Sequence, residues 1–316
     1  MSRYNHYSGE GLRRMKAQDP EIARCFDGYG HIETEYFGSV WDLTETLGER
    51  DVSDYGSASR RNASLCPGYS AEYHDTGWYG FSDAEDLQKQ IRTGLDRKKT
   101  ADMNRRIQNV LQNSVKKRGP VRYLPAGGSV NVPRHLIGIP AMRSRSTKMM
   151  PSKVVNLCID GATLGSVSAT QITKAGEYLM EMVQMLQRDG YRIGLYFADT
   201  TRNQEVERGN RLRCMVVRIK APEAAMDIST VGWWLTSPAA QRGASFSWVS
   251  SAPDNARIEM PEGIGGVPTQ AQSAQLMELA APGCIPVSLC SLVWMIDSEK
   301  TPEQCRDWLE ALISDA

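Results

Sequence analysis

The chain has 316 residues, 41% of them hydrophobic, and its 37 Lys plus Arg balance 37 Asp plus Glu. That apolar share is ample for a core and excludes global disorder, while the longest apolar run, CIPVSLCSLVWMI at 284–296, is too short to span a bilayer. Seven cysteines without a CxxC spacing exclude a secreted disulfide framework and a tetrahedral zinc site, and imply a reducing, cytoplasmic setting.

Zero net charge conceals segregation. Residues 1–88 carry 8 Lys/Arg against 16 Asp/Glu, residues 89–153 carry 16 against 2, and residues 154–316 carry 13 against 19. Three segments follow: an acidic, aromatic-rich N-terminal region (1–88), a basic helical and Pro/Gly-rich extension (89–153), and an α/β domain (154–316). In the first, SVWDLTETLG at 39–48 reads as a short helix with Ser39 as cap and Gly48 as stop. FSDAEDLQKQIRTGL begins a second helix, with Leu87, Ile91 and Leu95 spaced by four, and ADMNRRIQNVLQNSVKK a third, with Met103, Ile107 and Val110 on one face. From 119 to 153, five prolines and four glycines disfavour regular structure.

Beyond that point, strand patterns at 154–159, 191–198, 212–219, 245–250 and 285–296 alternate with helix patterns at 169–188, 227–241, 269–281 and 302–314. Continuous apolar strands joined through helices imply right-handed crossovers in a doubly wound, mostly parallel sheet. The expected fold class is therefore Rossmann-like α/β, preceded by an irregular, partly helical N-terminal region. Trp233 and Trp234 fall in one helix, one expected in the core and the other facing a partner.

Ligands of an open α/β sheet gather outside the C-terminal strand ends. Here those ends are Asp160 to Ser168, Asp199 to Thr201, Lys220, and Asp297 with Ser298. Their oxygens suit Mg²⁺, and they equally suit turns and helix caps. The succession VVNLCID, a Ser/Thr loop, a long helix, then RIGLYFADTT resembles the opening of von Willebrand factor A-like domains. That resemblance implies a metal site built on an Asp-x-Ser-x-Ser loop. Asp160 matches its aspartate, but Ala162 and Leu164 occupy the serine positions, so the resemblance implies a degenerate site in which Asp160, Thr163, Ser166 and Asp199 remain as ligands. GGSVNVPRHLIGIPAMRSR, with DTGWYGFSDAEDLQ further back, is similar to a family of functionally uncharacterised bacteriophage proteins; this implies a bacterial host cytoplasm and no particular chemistry.

The most informative feature is electrostatic. Residues 103–159 are 57 residues without a carboxylate, and they hold eleven cations: Arg105, Arg106, Lys116, Lys117, Arg118, Arg122, Arg134, Arg143, Arg145, Lys148 and Lys153. Such a block attracts polyanions through counterion release. Alternatively, it docks on the acidic flanks of its own chain. No Walker loop, G-x-S-x-G or G-x-G-x-x-G after a strand is present, and no two of the four histidines have metal-ligand spacing. The leading expectation is a non-enzymatic, phage-type protein that binds single-stranded or structured nucleic acid and recruits a phage or host replication or transcription enzyme. A protein–protein scaffold is the second reading. A Mg²⁺-dependent hydrolase using Asp160, Asp199 and Asp297 is the third.

Overall fold

The computed structural model describes residues 2–49, 80–82, 84–113, 121–124, 129–145, 153–203, 210–251 and 266–315. In chain order the first elements are β1 (Ser2–Ser8), α1 (Gly9–Gln18), α2 (Pro20–Cys25), β2 (Tyr29–Phe37), α3 (Val40–Glu49), α4 (Ala84–Thr93) and α5 (Arg97–Asn113). A small-sheet segment follows, with β3 (Val121–Leu124), β4 (Ser129–Val130), α6 (Val132–Leu136) and β5 (Met142–Arg145). Then come β6 (Val154–Asp160), α7 (Ala169–Arg188), β7 (Arg192–Asn203), β8 (Asn210–Lys220), α8 (Ile228–Thr236), a π-helix (Ala240–Ala244), α9 (Ser245–Ser251), α10 (Gln270–Ala280), β9 (Ile285–Ser288), α11 (Leu289–Asp297) and α12 (Pro302–Asp315).

Six strands form one sheet in the order β1-β2-β8-β7-β6-β9. The pairs β6–β7, β6–β9 and β2–β8 are parallel, whereas β7–β8 and β1–β2 are antiparallel. The expected mostly parallel α/β sheet is thus present. Alternation along the strands sends side chains to two helical layers. Leu157, Ile159, Leu195, Phe197, Met215 and Val217 pack with α7, α8, α11 and α12, while Ile32, Cys158, Ala198, Leu212, Cys214 and Val216 pack with α1, α2 and α10. Helix starts follow local chemistry. Ser168 with Gln171 and Thr269 with Gln272 form capping boxes for α7 and α10, and Asp19 caps α2 ahead of Pro20. Helices α7 and α8 touch through backbone, because a Cβ on Gly176 would lie 2.0 Å from the Leu235 carbonyl oxygen.

Several expectations are corrected. The N-terminal segment is not merely irregular: β1 and β2 join the same sheet as β6 to β9, so the sheet crosses the boundaries expected at 88 and 153. The strand YGHIETEYF escapes pattern reading because Glu33 and Glu35 are fully buried in it. SFSWVS, read as a strand, is helix α9 continuing from the π-helix; a short apolar run does not distinguish a strand from a buried helix. The run at 285–296 splits into short β9 and α11, since Ser288 Oγ accepts the Ser291 amide at 3.3 Å and caps a new helix. Residues 119–153, read as irregular, include the three-stranded antiparallel sheet β3-β5-β4. Both Trp233 and Trp234 are buried, in edge-to-face contact at 5.1 Å.

Candidate functional site: the sheet end and the basic small sheet

Asp160 ends β6, which lies between β7 and the edge strand β9, and is almost fully buried. One carboxylate oxygen accepts the Ala162 amide at 3.1 Å, and the Thr200 hydroxyl lies 3.0 and 3.2 Å from the two oxygens and 2.7 Å from Ser273 Oγ. Burial raises the Asp160 carboxyl to about 6, and these hydrogen bonds limit the rise. Asp199, on the neighbouring strand, is pushed well above the usual carboxylate range by burial and then by the Asp160 charge. One of its oxygens has no hydrogen-bond partner among the described residues.

The other expected positions separate. Asp160 draws its hydrogen bonds from Ala162, Thr200 and Ser273 rather than from Thr163, which is half-buried, or Ser166, which is exposed. Lys220 lies at the opposite end of the sheet, because β8 runs antiparallel to β7; its ammonium donates to the carbonyls of Ile193 and Ala221. Asp297 closes helix α11 instead of a strand and accepts from Gln171 Nε2 at 2.9 Å. Among the described residues, no group of three or more His, Cys, Asp or Glu side chains is arranged to hold a metal ion. His6 and His31 do meet, with ring nitrogens 3.1 Å apart across β1 and β2, as a pair.

A charged cluster not anticipated from the sequence lies beside Asp199 on the face of the sheet that α7 and α8 cover. Register aligns His6, Glu33, Arg213 and Thr201 across four adjacent strands, and Tyr4, Glu35, Met215 and Asp199 in the next row. Glu33 forms ion pairs with both Arg211 and Arg213, the latter at 2.8 Å in a geometry that is not an aligned hydrogen bond. Arg213 also donates to the Val249 carbonyl at 3.1 Å, and the Trp248 indole donates to Glu35 at 2.7 Å. Burial, and then neighbouring Arg211, lowers the Arg213 pKa against the pull of Glu33. The available signal was spacing: Glu-x-Glu in β2 and Arg-x-Arg in β8 put like charges on one face of each strand, and the two sets complement each other.

The basic block divides. Lys116, Lys117, Arg118 and Lys148 lie outside the described residues. Arg105 pairs with Asp102 on its own helix. Arg106 joins α5 to α7 through Glu177 and the nearly buried Glu181; burial works to lower its pKa, but these two carboxylates outweigh it and raise it. Arg122, Arg143 and Arg145 are carried by β3 and β5, with Arg143 opposite Tyr123. Arg134, half-buried on α6, places its guanidinium 4.3 Å from the centre of the Tyr123 ring and donates to the Pro140 carbonyl at 3.0 Å. Asn131 fixes this arrangement by accepting the Arg134 amide at 3.2 Å and contacting the Tyr123 hydroxyl at 3.3 Å.

A family model described as "Domain of unknown function (DUF7192)" matches residues 21–287, a span that runs from α2 to β9 and includes the small sheet. No curated protein and no solved structure matches the chain.

Proposed function

We propose, from the premise that the chain belongs to the DUF7192 family of domains of unknown function, that it is a non-enzymatic nucleic-acid-binding protein. The α/β body is its scaffold, and the basic small sheet is its binding surface. The observation that carries this reading is the Arg134–Tyr123 stack within a stretch of 57 residues without a carboxylate. A guanidinium seated over an aromatic ring is a platform on which a base stacks, and the stretch without carboxylates around it attracts phosphates. Single-stranded or structured nucleic acid is the preferred form, since the stack addresses exposed base faces.

The wider proposal is a phage-type protein whose von Willebrand A-like body recruits a replication or transcription enzyme. Its support is the succession of β6, the Ser/Thr loop, long α7 and parallel β7. The scaffold reading is favoured at one place, where Arg106 is committed to Glu177 and Glu181 inside the protein. A Mg²⁺ site on Asp160 is a proposal of the resemblance alone, and Asp199, one residue beyond the position paired with Asp160, faces the other side of the sheet.

Mobility-shift titrations of single- and double-stranded oligonucleotides across a salt series test the function. Binding at low salt is expected, weakening as salt rises, and Arg134→Ala lowers single-strand affinity by about tenfold, within the range for losing one stacked base. Absence of binding to either strand form at low salt overturns the proposal.

A further inference from the structure

Next to the Arg134–Tyr123 stack, the chain exposes apolar side chains that a soluble surface would ordinarily bury. Leu136 is 78% exposed, Ile137 71%, Val132 59% and Ile139 38%. They are carried on a shaped tip. Asn131 caps α6, and Gly138, in the left-handed region with φ +71, closes the turn behind it. The Gly138 amide donates to the His135 carbonyl at 3.1 Å, and the Ile139 amide donates to the Arg134 carbonyl at 3.2 Å. The Asn131 amide then reaches the Ala141 carbonyl at 2.8 Å, tying the two ends of the loop together. Meanwhile the Arg134 side chain is folded back onto Tyr123 and Pro140, so the charge sits at the base of the tip and the aliphatic groups lead.

We infer that Leu136 and Ile137 form an apolar wedge that packs against the faces of unpaired bases while Arg134 at its base attracts a flanking phosphate. This inference rests on the nucleic-acid reading and deepens it, since a purely electrostatic surface has no use for exposed aliphatics. Charge complementarity selects the partner. The flanking chain has no carboxylate between Asp102 and Asp160, so an occupant needs anionic groups beside an apolar face. An unpaired nucleic-acid strand offers that alternation at nucleotide spacing, and apolar side chains wedged against bases are an established mode of contact. A membrane surface calls for a broader amphipathic face than this five-residue helix presents.

The test uses the full chain and three probes: an oligothymidylate of about 20 nucleotides, longer than one binding site, an abasic strand of equal length, and phosphatidylserine vesicles. The wild-type protein is expected to bind oligothymidylate about tenfold more tightly than the abasic strand. The Leu136→Ser/Ile137→Ser variant is expected to bind both equally, at the abasic level, with the salt slope of the wild type and an unchanged melting temperature. Leu136→Trp provides a second readout: its fluorescence is quenched by oligothymidylate and unaffected by the abasic strand. Equal binding of oligothymidylate by wild type and the double-serine variant overturns the wedge and leaves the phosphate-binding reading standing. Failure of the wild type to bind any strand overturns both. Vesicle binding that the double-serine substitution abolishes, without base-dependent binding, assigns the tip to lipid and overturns the wedge.

Discussion

Arg213 on the large sheet and Arg134 beside the small one have the same side chain and opposite settings. Arg213 is buried in contact with Glu33 and the Val249 carbonyl, and every direction around it is protein. Arg134 lies half-buried on a tyrosine ring, in a segment without carboxylates. The difference teaches that a count of cations does not locate a polyanion site. A buried cation demands a fixed counter-charge and becomes part of the scaffold, whereas a cation seated on an aromatic face retains attraction for an external anion.

The largest test of this contrast is Glu33→Gln. It takes the shared counter-charge from the buried Arg211 and Arg213, and urea denaturation is expected to show a loss of about 3–5 kcal/mol. Combining it with Arg213→Met, which removes one of the two cations, recovers part of that loss; a single-variant change near zero would break the comparison.

A second test concerns Asp160, buried and without a cation among its hydrogen-bond partners. Its folded carboxyl is raised from 3.8 to about 6 by burial, so the folded state holds the proton more tightly than the unfolded chain. Stability therefore falls as pH rises from about 4 to 6, by roughly 3 kcal/mol for a shift of this size. Asp160→Asn removes this group's share of the fall, which denaturation midpoints at pH 4, 6 and 7.5 would reveal. An unchanged pH profile would show that Asp160 is not the group responsible.

The smallest effects sharpen the division of the basic block. Arg106→Ala leaves the nearly buried Glu181 without its charged donor and is expected to cost about 1–3 kcal/mol of stability with nucleic-acid affinity unchanged. Arg134→Ala is expected to do the reverse, with a stability change within about 0.5 kcal/mol. Thermal melts run alongside the binding titrations check both.

The β6–α7–β7 unit was legible because local and global preferences agree there. Its apolar strand ends at an aspartate, its helix starts with a capping box at Ser168, and the face bearing Ile172, Leu179 and Val183 is buried. Strand β2 was hidden because two of its inward residues are glutamates, and α9 was mistaken for a strand because six residues are too few to show a period. The candidate site was legible in part. The basic block and Tyr123 stand out in the sequence, but the apolar tip at Leu136 and Ile137 looks there like ordinary core material, and its exposure follows from where the small sheet places it.

By itself, the sequence determined the segregation of charge, the alternation of strands and helices after residue 153, and the caps that begin the main helices, all set by residues within a few positions of one another. Tertiary structure alone decided which charges are spent. Arg211 meets Glu33 178 residues away and Arg106 meets Glu181 75 residues away, so pairing depends on strand order, register and helix docking, and those arise only when the apolar faces of distant segments are buried together.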